Sequence, residues 1–119
     1  MPTFGVHISD HTERIVVTVV GELDFDTCPR ITQVTDTVII RDRTLCLDLA
    51  GVPFLDASGV GLLQVLNEHA GAQGGLLELS GLQRQPRRVL ELTETRTQFR
   101  VASVPGVANR PPSGCHAAP

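Results

Sequence analysis

Between two stretches of helical period lies a short, almost wholly apolar run: Thr44, Leu45, Cys46, Leu47, Asp48 and Leu49. Its residues show little polar alternation, as a strand does when both faces or a central sheet position are buried. Before it, Ile31, Val34, Val38 and Ile39 recur at the 3.6-residue period. After it, Leu62, Leu63, Leu66 and Ala70 do the same. A buried strand flanked by amphipathic helices implies right-handed crossovers onto a largely parallel sheet.

The remaining segments extend this pattern. Residues 3–9 and 14–20 are β-rich runs separated by the polar stretch 9–13, which suits a hairpin and an antiparallel start. The first helix has Asp26 or Thr27 available as N-cap, Pro29 in its first turn, and an end near Arg41. A loop over 50–55 and the residues Asp56, Ala57, Ser58 and Gly59 precede a second helix over 60–70, which Gly71 stops. Gly74 and Gly75 release a strand over 76–79, and Gly81 ends it. A third helix over 84–94 carries Pro86 in its first turn and Val89, Leu90 and Leu92 as apolar residues; the last strand spans 99–104. The expected order is ββαβαβαβ: one α/β domain over residues 1–104, a small mixed, mostly parallel sheet with amphipathic helices packed on it. From Pro105 to Pro119 the composition turns to Pro, Gly, Ala and Ser without an apolar period, which predicts a flexible tail.

Composition narrows the function. A chain of 119 residues with 41% hydrophobic content can bury one core without a metal or disulfide framework. No apolar stretch approaches the ~20 residues that span a bilayer, and the N-terminus does not read as a secretory leader, so a membrane or secreted role is not expected. A net charge of −3, no Trp or Tyr and only four Phe argue against a nucleic-acid partner. All ten basic residues are arginines, a bias that reflects a GC-rich genome more simply than a binding function. Cys28, Cys46 and Cys115 form no Cys-x-x-Cys pair. Cys46 should pack in the core like an alanine, as suits a reducing cytoplasm.

In parallel sheets, functional loops gather beyond the carboxyl ends of the strands. Two loops qualify: 21–27 and 54–59. Ser58 stands at the start of the second helix, where a phosphate would meet the positive end of the helix dipole. The plainer expectation is that its hydroxyl caps the helix, with Asp56 an Asx-turn residue and Gly59 giving room for a tight turn. A hydrolase nucleophile elbow needs glycines two residues either side of the serine, where this chain has Asp56 and Val60. None of His7, His11, His69 and His116 is placed to serve Ser58 as a base. Residues 71–75 match neither a P-loop nor a dinucleotide fingerprint, so no cofactor is expected. Glu22, Asp24, Asp26 and Asp56 read as a solvated acidic rim rather than a metal site, and Arg84, Arg87 and Arg88 as the wet face of the third helix.

Three motifs in order carry a resemblance: Gly21 to Asp24, Leu47 to Leu63, and Arg87 to Thr93. Together they resemble the STAS-domain family of bacterial anti-sigma-factor antagonists, over about residues 3 to 104. The resemblance implies a small mixed sheet with helices packed against it and a non-enzymatic function. It implies that Ser58 is phosphorylated by a partner that is both an anti-sigma factor and a serine kinase. It further implies that the unphosphorylated form binds that kinase and frees the sigma factor, that a serine phosphatase restores it, and that this happens in the cytoplasm. The docking face so implied comprises Gly21, Glu22, Asp24, Thr27, Asp56, Ala57, Ser58, Gly59 and Leu62. Ala57 stands where the family commonly has another serine, leaving Ser58 as acceptor. Family members also serve stress-signalling scaffolds, anion transporters and lipid-transport complexes, and the first and last of these are the alternative assemblies. A small serine hydrolase is the remaining, weaker reading.

Overall fold

The computed structural model describes residues 4–101. Strands β1 (Gly5–Asp10) and β2 (Arg14–Val20) form an antiparallel hairpin whose register runs from Gly5 opposite Val20 to Asp10 opposite Ile15. The His11 N–H donates to the Arg14 carbonyl at 2.8 Å and closes the turn. Helix α1 (Cys28–Thr35), strand β3 (Thr44–Gly51), helix α2 (Ala57–Ala72), strand β4 (Leu76–Ser80), helix α3 (Arg84–Leu92), a 3-10 turn (Arg96–Gln98) and strand β5 (Arg100–Val101) follow. The five strands lie in the order β1-β2-β3-β4-β5, with every pair after the first parallel. This is the expected mixed, mostly parallel α/β sheet.

Each parallel strand is laid beside its predecessor in one direction, so right-handed crossovers bring the three helices to one face. On that face Ile15, Val17 and Val19 of β2, Leu45, Leu47 and Leu49 of β3, and Leu77 and Leu79 of β4 are buried. They pack in one cluster with Ile31, Leu63, Leu66, Ala70 and Leu90 from the helices. Cys46, between Leu45 and Leu47 and therefore on the opposite face, is also fully buried, and its thiol donates to Glu78 Oε1 at 3.8 Å. Burial on both faces explains why β3 reads as an unbroken apolar run. Among the described residues no helix is long and apolar enough to cross a membrane.

Several boundaries differ from the sequence expectation. Helix α1 ends at Thr35, not near Arg41. Its threonines are weak helix formers, and the core position is filled from outside the helix: Ile40 is fully buried while Ile39 is 59% exposed. Reaching that position takes left-handed backbone at Arg41 and Asp42, φ 45° and 64°. The excursion is secured from afar. Gln73 Oε1 accepts from the N–H groups of Ile40 and Arg41, and the Arg43 guanidinium donates to the Ile39 and Ile40 carbonyls, to Asp10 and to the His11 carbonyl.

Helix α2 begins at Ala57 and runs through Gly71 to Ala72, because Gly74, at φ 80°, supplies the left-handed stop. Helix α3 ends at Leu92 rather than Glu94, whose own φ of 60° ends the helical path. Strand β1 starts at Gly5 and runs one residue further than expected. Thr3, residues 102–104 of the expected last strand, and the expected tail from Pro105 with Cys115 and His116 lie outside the described residues.

Candidate functional site

The loops after β2 and β3 are clipped together by backbone hydrogen bonds. Leu23 and Leu55 form a parallel bridge in which the Leu23 N–H donates to the Phe54 carbonyl at 2.9 Å and the Asp56 N–H donates to the Leu23 carbonyl at 3.2 Å. Gln85, in the first turn of α3, clamps the same loop: its Oε1 accepts from the Leu55 N–H at 2.9 Å and its Nε2 donates to the Leu55 carbonyl at 3.2 Å. Nothing local in the sequence marks Gln85 for this work, since its partner lies 30 residues away.

The capping roles are redistributed relative to the sequence reading. Asp56, not Ser58, caps α2: its Oδ1 accepts from the N–H groups of Ser58 at 2.8 Å and Gly59 at 3.1 Å. Ser58 is the second residue of the helix, half-buried, and its hydroxyl bonds to no described residue. At α1, Thr27 occupies the N-cap position without a side-chain bond to the helix, and Asp26 does not cap it either. Asp24 instead accepts on Oδ1 from the N–H groups of Asp26 and Thr27, while the Thr27 hydroxyl accepts from the Asp24 N–H and donates to the Glu22 carbonyl at 2.7 Å. This reciprocal pair holds the 21–27 loop, whose Gly21 has a φ of 111° and donates to the Gly51 carbonyl.

The fold therefore brings Gly21, Glu22, Asp24, Thr27, Asp56, Ala57 and Ser58 to one end of the sheet. Glu22 and Ala57 are exposed there, and Gly21, Asp24, Thr27, Asp56 and Ser58 are half-buried. Gly59 and Leu62 are different. Both are buried; Leu62, at 6% exposure, reaches only the floor of a neighbouring groove, and a Cβ on Gly59 would meet Leu55 and the Leu23 carbonyl.

That groove, of about 480 Å³, runs between α1 and α2 and is lined by Phe25, Cys28, Pro29, Ser58, Leu62 and Val65 among others. The sequence reading missed Phe25, Cys28 and Val65 as site neighbours. The exposed apolar character of Phe25 and Val65 is a usable signal only once the two helices are known to face each other. Burial, then the carboxylates of Asp56 and Asp24, push the Cys28 thiol from its ordinary 9.0 up to about 11. In the native protein Cys28 is thus expected to alkylate far more slowly at pH 8 to 9 than in the urea-unfolded chain, with the rate climbing as pH approaches 11. Mass mapping of iodoacetamide-treated peptides checks this; equal rates in the two states would show that neither burial nor the carboxylates hold the thiol protonated. The linked stability is fully present below 9.0 and falls as pH rises towards 11, because the unfolded thiol ionises first.

Among the described residues no histidine attends Ser58. His69 sits about three turns along α2 against Gln73, and His11 is bonded to Ser9 in the hairpin. Among the described residues no group of three or more His, Cys, Asp or Glu is disposed to hold a metal ion.

An anti-sigma factor antagonist from Mycobacterium paratuberculosis superposes with a TM-score of 0.75 at 27% identity, covering 90% of this chain and 92% of that one. Unphosphorylated SpoIIAA, a Bacillus cell fate determinant and anti-sigma factor antagonist, shares the fold with a TM-score of 0.68 at 23% identity over 91% and 95% of the two chains. A sulfate transporter family protein from Wolinella succinogenes also shares it, with a TM-score of 0.68 at 22% identity over 78% and 79%. The sequence itself matches the STAS domain over residues 6–106, nearly the whole of the sheet and helices described above, and the chain belongs to that family.

Proposed function

We propose that this protein is an anti-sigma-factor antagonist, a binding module rather than an enzyme, switched by phosphorylation of Ser58. In its unphosphorylated form it binds an anti-sigma factor that is also a serine kinase, and so releases the sigma factor in the cytoplasm. The observation that carries this reading is the spare hydroxyl of Ser58. Asp56 already caps α2, so the serine has no structural duty to explain it, yet it stands at a helix start that favours added negative charge. The kinase would transfer the γ-phosphoryl group of ATP to Ser58 Oγ, releasing ADP, with the hydroxyl proton taken by a base of the kinase. A serine phosphatase would reverse the modification. Likeness to the mycobacterial antagonist supports this reading over a scaffold or transporter role, and SpoIIAA has been solved in a phosphorylated form as well.

Docking is assigned to the exposed and half-buried residues of the two clipped loops: Gly21, Glu22, Asp24, Thr27, Asp56, Ala57 and Ser58. Gly59 and Leu62 support them from beneath. The test is to incubate the protein with the cognate kinase and ATP and map the product by mass spectrometry. One phosphate on Ser58, absent in Ser58→Ala, is expected. Full labelling of Ser58→Ala, or phosphate on Thr27 or Ser103, would overturn the assignment.

A further inference from the structure

The α1–α2 groove is apolar at its floor and acidic at its rim. Phe25 is 78% exposed and Val65 55%, although both are large and apolar. Asp36 stands in the lining at the α1 end, and at the other end Asp56 accepts from the N–H of Ser58, itself in the lining, at 2.8 Å. Among the described residues no arginine lines the groove. The arginine of α1, Arg30, is stacked over the Phe4 ring at 4.9 Å. A fitting occupant offers an apolar side chain flanked by fixed positive charge.

The chain itself carries that surface. Helix α3 buries Pro86 and Leu90 and turns Arg84, Arg88 and Leu92 outward at i, i+4 and i+8, with Arg87 beside them. Leu92 is 70% exposed. Among the described residues no α3 arginine is in an ion pair, and the carboxylate on their helix, Glu91, stands exposed one turn beyond Arg87 and Arg88. The inner face of α3 is committed to the core and Gln85 ties its first turn to Leu55, so its outer stripe cannot turn back into its own groove.

We propose that the α1–α2 groove receives helix α3 of a second copy of this chain, Leu92 entering between Phe25 and Val65 while Arg84 and Arg88 meet the acidic rim. Two acidic molecules with a net charge of −3 each would otherwise repel, so the pairing of local opposite charges sets the geometry and makes the association sensitive to salt. Ser58 lies in the same lining, so a docked copy covers it.

The experiment is sedimentation velocity on the full chain from ~10 to ~300 μM, a range suited to a modest interface. The weight-average mass is expected to rise with concentration at low salt and to fall at high salt. Val65→Glu in the groove and Arg88→Glu on α3 alter exposed positions, and circular dichroism confirms that each variant is folded. Each is expected to weaken self-association about tenfold or more. An equimolar mixture of the two retains one intact groove and one intact α3, and is expected to recover a 1:1 pair. Leu76→Ser, at an exposed apolar position on the sheet away from both patches, should leave the mass unchanged. A chain that stays monomeric throughout, or association that survives either charge variant, would overturn the proposal. So would a monomer whose groove binds an anilinonaphthalene dye that Val65→Glu abolishes, since the groove would then serve a small apolar ligand.

Discussion

Phosphorylated on Ser58, the protein is expected to bind its kinase at least about a hundredfold more weakly than the unmodified form, roughly 2.7 kcal/mol, with an unchanged far-UV circular dichroism spectrum. The two halves of this expectation come from opposite sides of one residue. Within the domain, the phosphate adds about −1.5 to −2 charges at the second position of α2, where the helix dipole favours it. Towards a partner, the same charge joins Asp56, whose Oδ1 lies 2.8 Å from the Ser58 N–H, and Asp24 on the neighbouring loop. A docked surface that excludes water would bury this charge against carboxylates, and an unpaired interfacial charge costs several kcal/mol. Ser58→Ala should keep full affinity. Ser58→Asp carries one charge rather than nearly two and should fall between. Calorimetric titration of the kinase with all forms decides the matter; a phosphoprotein that binds as tightly as the unmodified chain, or that has lost its secondary structure, rules out the interface switch.

Gly59→Val is expected to cost about 2–3 kcal/mol of stability. A Cβ at this position would lie 2.3 Å from Leu55 Cδ1 and 3.1 Å from the Leu23 carbonyl oxygen, and valine adds two methyl groups beyond it. Leu55 is fully buried in the core cluster, so its side chain yields only by displacing its neighbours, while the Leu23 carbonyl already accepts from the Asp56 N–H. Relief therefore requires the two loops to part. Urea denaturation should show a lowered midpoint, and kinase affinity should fall with it. Gly59→Ala should show a smaller version of both. This pattern separates Gly59 from Ser58, where affinity changes and stability does not. A Gly59→Val protein as stable as the parent would mean that the close approach of α2 to the loops is not needed.

The element order was legible because each crossover imprints its period on contiguous residues: the unbroken apolar run of β3, and Leu62, Leu63, Leu66 and Ala70 along α2. The cluster at the start of α2 was legible too, through Asp56, Ser58 and Gly59 standing together. What escaped was decided by contacts between distant residues. The early end of α1 depends on Gln73 reaching the Ile40 and Arg41 N–H groups 32 to 33 residues away. The pinning of the Ser58 loop depends on Gln85 across 30 residues. The exchange of capping roles between Ser58 and Asp56 was closer to hand, but both residue types favour that position, and only the backbone path shows which one stands outside the helix.

The bridge between Leu23 and Leu55 also bears on what association costs in entropy. A surface loop that is mobile in the free protein must be ordered on binding, and each side chain immobilised then subtracts about 0.5–1.5 kcal/mol from the affinity. Here the Leu23, Leu55 and Asp56 amides are already engaged in hydrogen bonds, so much of that ordering is complete before a partner arrives. Contacts made on such a platform convert more fully into residence time, and a single added charge is felt at nearly full strength because no loose segment remains to move it aside.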